Sequence, residues 1–406
     1  MRRLLRAIPP ALAAVPAVLL LVAGRGLTVP LYAARQGLMC QSCHFDPNGG
    51  GPRNDFGFAF ARNRHSLEAD TTGAWKDLNL VNKVGDNFPL YFGVNQRLMY
   101  IANRQLAPHG LDHAGFYDME SSLHFAFQPH PRLTLVYSHD GFDEFAVVTK
   151  EAFGILSLTR DLYLRAGQFR VPFGLRLDDH TVATRNSFLD FETGQAFLPY
   201  DPRRTDRGVE VGGSRGMWFG RASFTDGASN PLGFANTNAQ AEAAKLGFNL
   251  SHVQGAASFY DDYSYGVGPA QRVRATRWGY YGLGHAGPFA FLGEIAAGTD
   301  RFVASSPGPD VRVNLLAGWA EADYSPARAY NFRVRYDRLE LDRASDPAVR
   351  DQNTYNRYAL EGEVVPVPFA EIRWALRLID PVATRDVFNQ PLNNEKQGFI
   401  QFHFSY

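Results

Sequence analysis

Only two cysteines occur in this 406-residue chain, three apart, with a histidine directly behind the second: Cys40-Gln41-Ser42-Cys43-His44. Two thiols at this spacing can add to the two vinyl groups of one haem, and the adjoining imidazole then lies beneath the ring as proximal iron ligand. The competing chemistries ask for more than the chain offers. A zinc site needs about four ligands, and no second cysteine pair exists. A redox dithiol of the thioredoxin type should open a helix within a βαβ unit, which is not the pattern here. The stretch therefore reads as attachment of a single haem c, with Cys40 and Cys43 as thioether residues and His44 on the iron.

A second axial ligand has several candidates. His65 is the one further histidine before the strand-like region, and a second imidazole would make a low-spin, electron-transferring haem; its bland alternative is a surface cation near a helix end. Met39 adjoins Cys40 and is poorly placed for the opposite face of the ring. Met99, Met119, His113 and His124 lie further along. An iron without a sixth ligand would suit gas binding or peroxide chemistry instead.

The compartment agrees with the motif. Arg2, Arg3 and Arg6 precede an apolar run from about Ala7 to Ala23, broken by Pro16, the pattern of an export leader rather than of a membrane-spanning helix. Cleavage after Gly24 or as late as Ala33 divides the chain into a signal peptide (1–33), a haem-bearing segment (34–75) and the remainder (76–406). In bacteria, c-type haem is attached outside the cytoplasm. Within 34–75, Gly49-Gly50-Gly51-Pro52 reads as a turn, Asn54 or Asp55 as a helix cap, and Phe56, Phe60 and Leu67 as one helical face. Some forty residues cannot bury a core alone. A small haem-centred plug at or inside the mouth of a larger domain is expected.

That larger domain reads as all-β. The formal charge is zero, so nucleic acid is excluded as a partner, and aromatic residues make up 13%. No apolar run after residue 75 is long enough for a spanning helix. Short alternating segments recur instead, with charge on one face only. Tyr330, Phe332, Val334 and Tyr336 alternate with Asn331, Arg333, Arg335 and Asp337; Ile372, Trp374, Leu376 and Leu378 alternate with Glu371, Arg373 and Arg377. The last strand sets Ile400, Phe402, Phe404 and Tyr406 against Phe399, Gln401, His403 and Ser405. Lipid outside and water or plug inside suit such rows. The inward charges of Arg357, Glu361 and Glu363 with their neighbours suit a cross-strand ladder of opposite signs.

Sixteen strands are expected, near 89–101, 113–127, 132–140, 143–158, 162–171, 207–213, 216–225, 244–251, 253–262, 273–285, 287–298, 311–323, 328–341, 352–363, 368–379 and 396–406. Tight joins alternate with long ones, except at a short connection around Gly141. This is the rule of transmembrane antiparallel β-barrels, with both ends of the mature chain in the periplasm. The longest join, 172–206, carries Arg176, Arg185, Arg203 and Arg204, with Arg207 just beyond, and Asp178, Asp179, His180, Asp190 and Glu192. Asp178, Asp179, Asp300 and Asp351 are read as solvating carboxylates of external loops, which do not define an iron site.

Two resemblances extend this reading. Residues 163–213 resemble the phosphate-selective porins of the O/P type through Gly167-Gln168-Phe169, Pro172-Phe173-Gly174, Phe188-Leu189-Asp190 and Arg207-Gly208. That family's anion selectivity relies on lysines, and this loop has none. In general porins the third external loop folds inward to narrow the channel, and by that resemblance 172–206 does so here. The whole chain resembles the fused monohaem cytochrome–porins of bacterial outer membranes, the iron-oxidising type. There an exported CxxCH segment of this length precedes a barrel of about sixteen strands, and Pro52, Asn54, Phe56-Gly57, Phe60 and His65 follow the post-motif pattern. The glycine run at 49–51 is a departure. The resemblance implies an outer-membrane protein that passes electrons through one haem between the exterior, with Fe(II) as a donor, and a periplasmic c-type cytochrome. On that reading it is an iron(II) oxidase or a redox conduit. The alternatives are an anion or small-solute porin with a structural or regulatory haem, and a gas or redox sensor.

Overall fold

The computed structural model describes residues 29–71, 80–104, 113–141, 148–175, 182–184, 205–227, 240–263, 272–302, 311–342, 346–385 and 394–406. A two-residue strand β1 (Lys83–Val84) leads into sixteen long strands: β2 (Leu90–Arg104), β3 (His113–His130), β4 (Leu133–Asp140), β5 (Val148–Ser157), β6 (Leu162–Arg170), β7 (Thr205–Arg215), β8 (Trp218–Thr225), β9 (Gln240–Asn249), β10 (Val253–Tyr263), β11 (Arg272–Ala286), β12 (Phe289–Phe302), β13 (Val311–Tyr324), β14 (Tyr330–Glu340), β15 (Thr354–Val367), β16 (Ala370–Pro381) and β17 (Glu395–Ser405). Each pairs antiparallel with the next. β17 returns to β2 from Lys396↔Arg104 to Ser405↔Asn95, which closes the sheet into a barrel with no free edge. β1 adds to the start of β2. All sixteen expected strands are present.

Two-residue turns such as Gly216-Met217, Gly287-Pro288 and Pro368-Phe369 lie at one end, with both the entry to β2 and the end of β17. The long joins lie at the other. The connection near Gly141 is longer than expected. Asp140 pairs with Val148, so β5 begins five residues later than the alternation suggested.

The alternation settles the faces as the pattern requires. Tyr330, Phe332, Val334, Leu376, Ile400, Phe402 and Phe404 are exposed on the outer wall, whereas Asn331, Arg335, Asp337, Glu371, Gln401 and His403 are buried in the lumen. The inward charges form the expected ladder. Arg335 reaches Glu361 (3.3 Å) and Asp337 (3.3 Å), Arg377 reaches Glu361 (2.8 Å), and Arg357 reaches Asp337 (2.9 Å). Asp300 is corrected by the fold. It lies on β12 rather than in an external loop, fully buried and 2.6 Å from Arg277. Asp351 sits in a short helix between β14 and β15, 3.6 Å from Arg350.

The lumen is occupied from two directions. From the tight-turn end enter helix α1 (Val29–Gln36), a 3-10 turn (Cys40–Ser42) and helix α2 (Asp55–Arg62). From the wall, the start of the long join after β6 turns inward. Phe173, Leu175, Val182, Ala183 and Thr184 are all buried. Lys245 donates to the Gly174 carbonyl (2.7 Å), the Ala183 amide donates to Asp337 (3.2 Å), and Trp319 Nε1 donates to Thr184 (3.2 Å). Plug and inward join share one apolar cluster: Tyr32, Ala34, Phe60, Leu175, Val182, Phe219, Tyr281, Leu283 and Trp319. The inward fold of this join matches the expectation over these residues. Arg176, Asp178, Asp179, His180, Arg185, Asp190, Glu192, Arg203 and Arg204 lie outside the described residues.

Candidate functional site

The CxxCH turn is built by local chemistry. Cys43 and His44 both direct their amides to the Cys40 carbonyl (3.1 Å each), which curls the motif into a single turn. Asn54 caps α2 by accepting from the Gly57 amide (2.9 Å), and its own side chain donates to the Ser42 carbonyl (3.1 Å), so the cap also fastens the motif. A side chain at Gly57 would place Cβ 2.1 Å from the Cys43 carbonyl oxygen, which is why α2 can lie directly on the turn. Gly49, Gly50 and Gly51 take φ of 92°, 82° and 63°, the left-handed region, and carry the chain back around the motif. The helical face differs from expectation. Phe58, Phe60 and Ala61 are buried and Phe56 and Leu67 are exposed, because Phe58 stacks on Phe369 (5.0 Å) at the β15–β16 turn.

The wall grips this segment all round. Arg53 donates to the Ser405 carbonyl (2.6 Å), Asn82 donates to the Arg53 carbonyl (3.2 Å), and Tyr91 donates to Asp55 (3.2 Å) at the β17–β2 seam. Tyr406, expected on the outer row, packs instead against Phe58 (5.5 Å) and Phe369 (4.9 Å) beneath the rim. Arg165 on β6, fully buried, reaches Asp46 of the plug (2.8 Å) and Glu210 of β7 (2.7 Å). Arg221 on β8 donates to Asn48 (2.6 Å), and Asn249 to the Gly37 carbonyl (3.0 Å). Nothing in the sequence paired these partners with the plug.

The residues fit a covalently attached haem. Cys40 and Cys43 are both free thiols on one turn with His44 directly after them. A Cβ at Gly49 would stand 3.3 Å from the Cys40 sulfur, so glycine leaves that thiol its room. Among the described residues, His44 Nδ1 is buried with no hydrogen-bond partner. Burial, assisted by Arg53, pushes the His44 pKa down to about 4, so the imidazole is neutral at pH 7, the form that binds metal. Burial likewise raises both thiols, Cys43 to about 11.

His65 is placed differently from a free axial ligand. The chain leaves α2 through Arg64 and His65 at φ of 53° and 58°, and the His65 amide closes back on the Phe60 carbonyl (3.0 Å). This stacks its ring on Phe60 and sets it at a tilt against Tyr32. Its Nδ1 meets the Tyr32 hydroxyl, which also donates to Glu363 (2.5 Å); its Nε2 is 3.5 Å from Glu371. Both ring nitrogens are therefore engaged. Burial pushes its pKa down to about 4, against the pull of Glu371 and Glu363. The donor atoms of His65, Glu363 and Glu371 lie within 4.8 Å of one another. Arg373 already neutralises both carboxylates, at 2.6 Å from Glu371 and 3.2 Å from Glu363, so the group is an ion-pair network. Tyr32, assigned to the leader by the sequence, is its central hydroxyl.

The other ligand candidates are spread over the wall. His124 is buried on β3, held by Asn95 (3.2 Å) and Ser138 (2.9 Å). Met99 faces inward from β2, Met119 sits at a bulge opposite Arg97 and Leu98, and Met39 packs on the apolar cluster. His113 opens β3, and its side chain lies outside the described residues.

No family model and no curated relative matches the chain. Solved structures do. The outer-membrane channel DcaP of Acinetobacter baumannii is similar at 11% identity and a TM-score of 0.56, over 79% of this chain and 98% of that one. A loop-deletion mutant of OmpT, an outer-membrane protein of Vibrio cholerae, is similar at 12% identity and 0.54, over 79% and 100%. Pseudomonas putida OprB is similar at 10% identity and 0.54, over 78% and 94%. The likeness shows the fold: the strands β2 to β17 form a closed antiparallel barrel of the kind seen in these outer-membrane proteins.

Proposed function

We propose that this protein resides in the outer membrane and carries electrons across it through one haem c bound to Cys40, Cys43 and His44, with an external reductant such as Fe(II) on one side and a periplasmic c-type cytochrome on the other. The observation that carries this reading is that the CxxCH turn belongs to a segment which wall residues from β2, β6, β8, β9 and β17 hold within a closed porin-type barrel. One haem cannot bridge a hydrocarbon band of roughly 25 Å from outside the barrel, whereas within the lumen it has both sides in reach. When bound, the haem supplies a one-electron couple. The chain's own residues do the rest: the two thiols tether it, neutral His44 offers its nitrogen to the iron, and the packed cluster around Trp319 keeps water and ions from the lumen.

A second reading, an anion or small-solute porin with a structural haem, is favoured by the fold likeness to DcaP and OprB. The two readings separate in experiment. The conduit gives a c-type α-band in purified outer membranes that responds to added Fe²⁺, and little conductance in planar bilayers. A band that ignores Fe²⁺ together with large open-channel currents would establish the porin. A polypeptide whose mass shows no porphyrin adduct defeats the haem reading altogether.

A further inference from the structure

We infer that Arg221, Ser223 and Asn48 form a carboxylate site in the lumen, and that its occupant in the mature protein is a propionate of the attached haem. The inference rests on the haem reading above. Its starting point is a charge without a counter-charge. Arg165, Arg277, Arg333, Arg335, Arg357 and Arg377 all face inward and each pairs with a carboxylate. Arg221 is equally inward, 8% exposed, yet among the described residues it meets no carboxylate. Its partners are the Asn48 side-chain oxygen at 2.6 Å and the face of Phe219 at 5.8 Å. Of the nearby acids, Asp46 Oδ1 and Glu210 Oε2 both bind Arg165, and Tyr163 also donates to Glu210 (2.7 Å). A buried cation left in this state is strongly unfavourable.

The neighbours lack an acceptor as well. Asn48 Nδ2 and Ser223 Oγ are both buried with no hydrogen-bond partner. Ser223 lies two residues along the same inward face of β8, between Glu210 of β7 and Ala243 of β9. A guanidinium without a carboxylate, beside an amide N–H and a hydroxyl that have no acceptor, describes a receptor for an anion with two oxygens. The place identifies the anion. Asn48 precedes Gly49, which touches Cys40, and Arg221 and Lys245, cross-strand partners on β8 and β9, are the cations acting on the Cys40 thiol. The site thus adjoins a thioether residue inside a filled lumen, where the anionic groups of a tethered haem are its two propionates.

The test uses full-length, haem-loaded protein in detergent: wild type, Arg221→Gln, Arg221→Lys and Asn48→Asp. Arg221→Gln should retain the haem by mass, lower the haem reduction potential and shift the propionate carboxylate band in the redox-difference infrared spectrum. Arg221→Lys should restore most of the potential. Asn48→Asp sets a competing carboxylate against Arg221 and should shift the same band with the arginine intact, which keeps the proposal open to refutation if Arg221→Gln does not assemble. Haem present with potential and band both unchanged in Arg221→Gln or Asn48→Asp overturns the assignment and leaves the haem reading standing. A wild-type potential that responds to inorganic phosphate, with no propionate band shift in the variants, identifies a site for solvent anions and also overturns it. A wild type without porphyrin mass removes the haem reading, and this assignment with it.

Discussion

Arg165 is the sharpest point at which to test how plug and barrel are held together. Its guanidinium is fully buried, bridges Asp46 of the plug (2.8 Å) and Glu210 of the wall (2.7 Å), and lies over Phe169 at 4.1 Å. Replacing it by methionine keeps the volume and removes the charge, so two buried carboxylates lose their common partner. Breaking a buried ion pair on one side typically costs about 3–5 kcal/mol, or roughly 150- to 4,000-fold in the docking equilibrium. Asp46→Asn is the milder cut. Arg165 keeps Glu210, and the loss is that of one charge-assisted hydrogen bond, about 1.5–3 kcal/mol. Limited proteolysis between residues 34 and 71 in detergent-solubilised protein reads docking directly, and heat-modifiable migration reports whether the barrel itself stays closed. The expected order of plug cleavage is Arg165→Met, then Asp46→Asn, then wild type, with the barrel closed in all three. Equal protection in Arg165→Met and wild type would refute the reasoning, as would Asp46→Asn being the more damaging change.

Gly57→Ala drives a Cβ to 2.1 Å from the Cys43 carbonyl, so the yield of c-type absorbance per barrel should fall severalfold, measured by α-band against total protein. The buried His65 has its pKa lowered from its usual value near 6.5 to about 4, so the undocked plug takes up the proton first. Its contribution to docking is complete above pH 6.5 and is lost as pH falls toward 4; the proteolysis profile should weaken across that window, and His65→Gln should flatten it. Tyr32, Ala34 and Arg35 of α1 are buried against the barrel, so the leader should end upstream of Val29 rather than at Ala33; intact-mass measurement of the mature chain would show otherwise by a shorter product.

The barrel was legible because strand alternation is a local property. Tyr330 to Asp337 shows lipid and lumen faces within eight residues, and turn chemistry marked the joins. The turn at residues 40–44 is likewise local, and its reading as a haem attachment rests on the spacing of five consecutive residues. What escaped was contact between residues far apart in sequence. Arg165 and Asp46 are separated by 119 positions and Tyr32 and Glu363 by 331, and no local pattern pairs them. Asp300 was misplaced because β12 runs four residues further than its apolar alternation, carried by an inward Arg277–Asp300 pair that hydropathy alone cannot see. Phe56 was preferred to Phe58 because helical spacing ranks faces without knowing where the wall stands.

Ions and electrons make opposite demands on such a lumen. A permeating ion needs a continuous thread of water and charged groups free to exchange partners along it. Electron tunnelling needs the reverse: few gaps, fixed groups and little solvent reorganisation. Between β13 and β16 the inward carboxylates Glu321, Asp323, Asp337, Glu361, Glu363 and Glu371 are each within 4 Å of an arginine, so the wall offers a moving ion no vacant partner there. Among the described residues, Trp319, Tyr281, Leu283 and Phe60 pack in one apolar cluster with the inward join. On the conduit reading, a fixed, self-neutralised shell around a packed centre insulates against ions. If the conduit reading holds, removing part of that centre should open the ionic path without touching the redox group: Trp319→Ala deletes the largest fully buried side chain among the described residues and should raise single-channel conductance while the haem spectrum stays unchanged. Conductance that stays at the wild-type level would show that the seal lies elsewhere along the lumen.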